Sequence, residues 1–558
     1  MTTATISTPQ SQAEERASWL PMIVIGMAQA LMSFNVAAIP VSMAGMVKSF
    51  NTPPTTVGTA IVMYSLGVSG FVMLGAKLGQ RFGAKRIFQI VVGIFAIAVG
   101  MVAISPSAIM MVAAQGVCGL AAAALVPSLV ALIANHYSGK QQAEAVGWLG
   151  SARAIAGVLA FLIVGSIATF VSWRLAFGLL VLHAVAILVL SFKLKPSEAR
   201  LDLKIDGVGV VLAAVGIILV TFGFNNVRAW GLLLASPAAP FDVMGVSPAP
   251  VMIIAGALVV AGFFRWSQRR ARAGKPPLLA LEVISSHREW AAVIALFLIV
   301  STEAAINFSV PLYIQIVQGR SAFQTSIAMM PFLVTVFFTA ILIVRTYRRF
   351  TPRQIARAAF VLVFAGAAWL AFVVTNDWST LPVMIGLVVV GLGQGALVTL
   401  LFNVLVTAAP KDAAGDVGSL RGVTQNLAAA VGTAMAGALL VGVLSAVVLS
   451  NVARTTVLTP ELLAQIDLDN INFVSNDRLR DVLSQTIASP EEVDEAVRLN
   501  SESRLRALRV GFLVLAGLSL LALIPSGWLP NYRPGEIPHD PHVDETPEHL
   551  RELAGQEG

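Results

Sequence analysis

The stretch LGAKLGQRFGAKR, residues 74–86, decides how the rest of the chain is read. It crowds Lys77, Arg81, Lys85 and Arg86 together after a long, nearly uncharged run, and another apolar run follows at once. A helix crossing a hydrocarbon core needs about 20 apolar residues, and Lys and Arg collect in the short loops that stay on the cytoplasmic side. Gly83 suits a tight turn because it has no Cβ to strain. The stretch therefore reads as a cytoplasmic turn between two membrane helices. One residue in it stands out: Gln80, in a segment that holds no acid.

The whole chain repeats this pattern. Of its 558 residues, 57% are hydrophobic and 12% charged, with a mean hydropathy of +0.81. Soluble domains carry about 25% charged residues, so half the usual solvating charge is present and a water-soluble globule is excluded. A membrane β-barrel would alternate over segments of about ten residues, and these runs do not. The first 18 residues are polar and lead into an apolar run too long for the core of a signal peptide. The net charge of +7 does not point to nucleic acid, because the cations sit in short loops beside apolar helices, where they set topology. The single cysteine, Cys118, excludes an intrachain disulfide and a cysteine-based metal site. It lies among alanines and reads as a small packing residue.

Apolar runs long enough to cross fall at 19–39, 55–77, 86–105, 108–135, 144–168, 174–192, 207–224, 249–266, 289–312, 323–344, 356–375, 381–405, 418–449 and 506–527. That predicts fourteen transmembrane helices, an all-α polytopic membrane protein. With the N-terminus inside, the loops at 78–86, 193–206, 265–288 and 345–357 hold eighteen Lys and Arg, and the outer loops hold four. This asymmetry places both termini in the cytoplasm, in a cell membrane. Residues 451–505 form a long loop, expected outside, with ten acids. Within it Ser489-Pro490-Glu491-Glu492 has the N-cap, first-turn proline and early acids of a helix start, and that helix is expected to run into the last crossing.

The opening stretch has an echo. Arg81-Phe82-Gly83-Ala84-Lys85 is matched by Arg349-Phe350-Thr351-Pro352-Arg353, 268 residues later and eight crossings further on. Gln115-Gly116 and Gln394-Gly395 form a second pair, also eight crossings apart. The shared offset suggests two six-helix halves, 19–192 and 289–527, with two helices inserted between them at 207–266 and tails at 1–18 and 528–558. Such parallel repeats mark transporters with a site at the repeat interface.

The run AKLGQRFGAKR at 76–86 resembles the cytoplasmic signature of the major facilitator superfamily. IPVSM at 39–43, VMYSL at 62–66, LVPSLVALI at 125–133, SWRLAF at 172–177, Asp206-Gly207, PLYIQIVQG at 311–319 and LRGVTQNLAAAVGTAMAG at 420–437 resemble its fourteen-helix drug:proton antiporter branch. The resemblance covers residues 20 to 527. It implies a major facilitator fold and alternating access, with Gln80, Arg81, Gly83, Lys85, Arg86, Arg349 and Arg353 as a cytoplasmic gating turn and its echo, bonding helix ends of the opposite half.

The chain departs from the family pattern in four places. The acid usual in the first crossing is replaced by Leu31, with Asn35 nearby; the signature aspartate is Gln80; and a membrane-embedded arginine is Gln115, with Cys118 where the family has a glutamine. The proline and one glycine of the fifth crossing are missing from Ala160-Phe161-Leu162-Ile163-Val164-Gly165. An intramembrane charge costs at least about 2.5–3.5 kcal/mol and those that persist usually have a function, so losing several points to altered coupling.

Two charged candidates remain deep in crossings, Glu303 and Arg153. A carboxyl in a low-dielectric site can take up and release a proton; the alternative is a structural Glu303–Arg153 ion pair. Asn307 shares a face with Glu303 at i, i+4. Asn35, Gln115, Gln394 and Asn403 complete the candidate substrate cavity, and either bond one another or offer hydrogen bonds to a ligand. His183 reads as a packed histidine. No phosphate-binding loop, nucleophile–base pair or metal cluster is evident, so neither a cofactor nor an enzyme is expected. The expected partners are a small organic substrate, the bilayer and protons, with the chain as a monomer. The leading reading is a secondary transporter exporting amphipathic drug, lipid or natural-product molecules. An uncoupled facilitator or importer, and a degenerate receptor or envelope scaffold, are the alternatives.

Overall fold

A computed structural model describes residues 18–137, 139–231, 233–236, 239–242, 244–279, 286–346, 349–375, 380–408, 414–455, 458–459, 473–486 and 488–531. The first half consists of α1 (Leu20–Val41), α2 (Met43–Phe50), α3 (Pro54–Phe82), α4 (Ala84–Ile104), α5 (Ala108–His136), α6 (Gly139–Phe170) and α7 (Trp173–Ser191). The inserted pair is α8 (Gly207–Trp230) and α9 (Pro248–Arg272). The second half contains α10 (His287–Leu312), a π-helical turn (Tyr313–Val317), α11 (Ala322–Thr346), α12 (Pro352–Val373), α13 (Thr380–Ala408), α14 (Ala414–Val452), α15 (Asn476–Leu483), α16 (Pro490–Leu521) and α17 (Leu523–Ser526). Among the described residues thirteen helices are long and apolar enough to cross a membrane, and the apolar part of α6, Ile155–Phe170, completes the expected fourteen. The protein is an all-α polytopic membrane protein built as two six-helix halves with an inserted pair.

The halves are packed by close helix approach. In the first half α3 lies along α5, and a Cβ at Gly119 would run into the Tyr64 carbonyl, so the backbones meet where a side chain would part them. In the second half α13 packs on both α11 and α12. The halves meet along α3 with α14 and along α6 with α11, and α8 packs against both α3 and α14. Helix α9 packs mainly on α8, leaving Ile254 and Leu258 exposed as a lipid-facing surface would be.

The bundle has two distinct ends. One carries the turn at Gly83, the segment 192–206, the cation-rich end of α9 and the turn at Thr351, and is called the positive end below. The other carries α2, the π-helical turn and the chain between α14 and α16, and is called the loop end. At the loop end the halves are joined by hydrogen bonds: Phe323 N–H to Thr169 Oγ1 (2.8 Å), Ser326 Oγ to the Phe161 carbonyl (2.5 Å) and Arg478 to Asn51 Oδ1 (3.1 Å). Phe308, buried, is wedged between Gly58 and Gly437 of opposite halves.

Helix α16 starts as the sequence predicts. Ser489 caps it, Glu492 returns a bond to the Ser489 N–H, Pro490 occupies the first turn, and the helix continues into the last crossing. Its polar extension and α15 pack around a small core of Leu458, Leu483 and Leu499. Three features were not foreseen: α2, the π-helical turn, and an antiparallel bridge between Leu234 and Val246 beyond α8.

Candidate functional site

Two polar pairs lie deep in the bundle, one per half. In the first half, Asn35 of α1 and Gln115 of α5 exchange amide bonds: Asn35 Nδ2 donates to Gln115 Oε1 (3.0 Å) and Gln115 Nε2 to Asn35 Oδ1 (3.1 Å). Both are 0% exposed. Each amide satisfies the other, as buried polar groups require, so neither is presented to a cavity. Of the two roles the sequence allowed these amides, mutual bonding is the one observed.

In the second half, Gln394 of α13 donates from Nε2 to Glu303 Oε2 of α10 at 2.6 Å. Gln394 is 1% exposed and its Oε1 is buried with no hydrogen-bond partner. Asn307, one turn after Glu303, likewise has a buried Oδ1 without a partner. The carboxylate fixes the amide orientation of Gln394, since only the NH2 side can face a negative oxygen. Asn35 and Glu303 stand 268 residues apart, the same spacing as Arg81 and Arg349. The two pairs are thus the same contact, first long helix to fourth in each half, made once with two amides and once with an acid and an amide.

Asn403 lies further along α13, half-buried. Arg153 falls within α6, and its side chain lies outside the described residues. His183 Nε2 donates to the Met27 carbonyl (2.9 Å), tying α7 to α1 as a packed histidine does.

The turn at 80–86 holds its own half together. Gly83 has φ +89°, and a Cβ there would press on the Ser197 carbonyl at 2.9 Å. Lys85 Nζ donates to the carbonyls of Phe192 (3.1 Å) and Leu194 (2.5 Å) just beyond α7, its backbone N–H to Ser197 Oγ, and Arg200 N–H to the Gln80 carbonyl. A cation on the exposed carbonyls at a helix end also meets the negative end of the dipole. Arg353 repeats this in the second half: Nε donates to the Leu529 carbonyl and its N–H to Pro530, beyond α17. Thus the partners of Lys85 and Arg353 lie in the chain leaving the sixth crossing of the same half. The expected bonds to the opposite half are not the ones these groups make, because the chain leaving the last helix of each half is nearer. Arg81 lies over the Phe82 ring (5.4 Å) with its Nε buried and unpartnered, while Arg86 and Arg349 are exposed.

An open apolar groove of about 550 Å³ lies between α1 and α6 toward the positive end, lined by Trp19, Met22, Ile23, Gly26, Trp148 and Ala152, with Ile23 and Trp148 more than half exposed. None of the predicted amides lines it. Its walls are apolar, so they carry no periodic polar signal that sequence reading could have caught; the two tryptophans were the available clue. Gln315 was missed as well, although PLYIQIVQG was singled out. Its side chain bonds the α1–α2 junction across the halves, accepting from Ala44 N–H and donating to the Pro40 carbonyl, both at 2.8 Å. Among the described residues no three His, Cys, Asp or Glu side chains gather to hold a metal.

Comparison with known proteins agrees with this architecture. The sequence model of the Major Facilitator Superfamily matches residues 25–433. The chain is 27% identical over 395 residues to a probable actinorhodin transporter of Streptomyces coelicolor, covering 69% of this chain but just 65% of that relative, short of two thirds of its length. It is 23% identical to the multidrug efflux pump LfrA of Mycolicibacterium smegmatis (83% and 88% covered), and 22% identical to a methylenomycin A resistance protein of Bacillus subtilis (75% and 87%). In three dimensions it is similar to the inward-facing, occupied structure of a bacterial homolog of the human lysosomal transporter Spinster (TM-score 0.56, 14% identity, 91% and 95% covered) and to a peptide transporter in complex with sulfate (0.57, 15%, 94% and 98%). With two pseudo-repeated halves, paired polar contacts between the first and fourth long helices, and a family match across most of its length, this chain belongs to the Major Facilitator Superfamily of membrane transporters.

Proposed function

We propose that the protein exports amphipathic organic molecules across the cell membrane by alternating access, with Glu303 as its proton-coupling group. The positive end is then the cytoplasmic end, in keeping with the distribution of Lys and Arg, and both termini lie inside. The observation that carries the reading is the Glu303–Gln394 bond, which sets a carboxylate where the first half has a neutral amide. A carboxylate retained inside a bundle, where charge is costly, earns its place by function. The export direction and substrate class are supported by the relatives, whose names are those of an antibiotic transporter, an efflux pump and a resistance protein. The open apolar groove between α1 and α6 offers a surface to the apolar part of such a substrate.

The bonds that join the halves at the loop end belong to a conformation closed on that side, with access from the cytoplasm. The test is transport of a fluorescent amphipathic cation in proteoliposomes. Wild type is expected to expel it faster under an imposed pH gradient, and Glu303→Gln to retain counterflow while ignoring the gradient. Glu303→Gln that still follows the gradient overturns the coupling assignment. Wild type that carries substrate but ignores the gradient leaves a facilitator, the reading that the neutral Leu31, Gln80 and Gln115 favour.

A further inference from the structure

We infer that Gln315 is a pin that closes the loop end, acting by insertion into the backbone where α1 meets α2. Helices α1 and α2 lie end to end, separated only by Ser42. In an unbroken helix the Ala44 N–H would bond to the Pro40 carbonyl, the i to i−4 partner. Here the helix is interrupted at Ser42, and the Gln315 side-chain amide bonds both groups: its Oε1 accepts from Ala44 N–H and its Nε2 donates to the Pro40 carbonyl, each at 2.8 Å. Gln315 is 4% exposed, so water does not compete for these groups.

The geometry is set from both sides. Pro40 has no N–H to give its own turn, which weakens α1 where the amide enters. On the other side, Gln315 sits at the centre of the π-helical turn Tyr313–Val317, which follows Pro311. A wider turn of this kind often appears at functional positions in helices. Neighbouring Gln318 provides a contrast: it donates to Tyr313 Oη (2.9 Å) and the Thr375 carbonyl (2.6 Å), both in its own half. One glutamine of the segment anchors the turn, and the other crosses to the opposite half.

This gives alternating access a swap with no orphaned group. When the halves part at the loop end, Gln315 withdraws, and Ala44 N–H and the Pro40 carbonyl bond each other, so α1 and α2 join into one helix. The backbone groups are satisfied in both states, which avoids the cost of leaving buried groups unpaired during the change. Gln315 is therefore a positioning residue: it touches no substrate, and it sets the balance between the two conformations. The inference rests on the alternating-access part of the proposed function and not on coupling or substrate.

Spin-label distance measurements test it without any substrate. In a Cys118→Ala background, Lys48→Cys with Arg320→Cys reports the loop end, and Arg86→Cys with Arg349→Cys reports the positive end; all four native side chains are exposed. Gln315→Met keeps the volume of the side chain and removes both bonds. Two hydrogen bonds at about 1 kcal/mol each predict a ten- to thirtyfold shift toward molecules with long 48–320 distances, with matching shortening at 86–349. Gln318→Met is expected to leave both distributions unchanged, and Gln315→Asn, one methylene short, to move in the same direction as Gln315→Met. Unchanged 48–320 distances in both Gln315 variants overturn the inference. So does an equal shift from Gln318→Met, because it would make any loosening of the turn sufficient. A failure to transport alongside the predicted distance shift would count against the exporter reading and leave the pin standing.

Discussion

The Asn35–Gln115 pair and the Glu303–Gln394 pair occupy equivalent places in the two halves, yet they do different chemistry. The first is closed on itself, with two donors, two acceptors and no exposure. The second has a charge-bearing acceptor, and two amide oxygens nearby lack donors. A duplicated scaffold has thus been neutral on one side and titratable on the other. Under the proposed mechanism the neutral side is structural and the acidic side is the working site.

The largest expected effect comes from removing the acid. Glu303→Gln should lower gradient-driven transport to the rate of protein-free vesicles while leaving counterflow, measured in the same proteoliposomes. Next comes the reverse edit: Asn35→Asp makes the first half resemble the second, and transport should acquire a second proton-dependent step, read as a steeper dependence of rate on pH. If Asn35→Asp only lowers yield, the first-half site does not accept charge and the comparison is one of structure alone. A moderate effect is expected on stability. Gln115→Leu strands the Asn35 amide, costing about 1–3 kcal/mol, whereas Asn35→Leu with Gln115→Leu should lose less than the sum of the two single changes, measured by thermal unfolding in detergent. Gly83→Ala forces an alanine to φ +89° against the Ser197 carbonyl and should cost about 1–2 kcal/mol. Smallest is Lys85→Met, which removes a cation from the carbonyls beyond α7, worth about 0.3–1 kcal/mol; a much larger loss would mean that the turn does more than hold its own half.

What could be read from the sequence follows from the range of the forces involved. The crossings are legible because the bilayer demands length and apolarity locally, and the Ser489 helix start is legible because a capping box spans four residues. The duplicated halves show through Arg81 and Arg349. The pairing of Asn35 with Gln115 is set across 80 residues by the packing of α1 on α5, and no local period records it. Gln315 was hidden for a sharper reason: its partners are backbone groups, and a backbone acceptor at Pro40 has no side-chain signature. The partners that Lys85 has in this conformation are not legible either, because a loop cation carries no information about which helix end it meets.

The position of α8 has one more consequence. It lies along both α3 and α14, with Ala214 over Gly70, so α8 meets α3 through small side chains that allow a close approach. Helix α8 of the inserted pair thereby bridges that seam between α3 and α14. The opposite seam, between α6 and α11, has no such cover among the described residues. That seam is held instead by direct contact, with Gly165 close against Ser326 and the Ser326 hydroxyl bonded to the Phe161 carbonyl, so the two seams between the halves are built differently: one bridged by α8, the other pinned helix to helix.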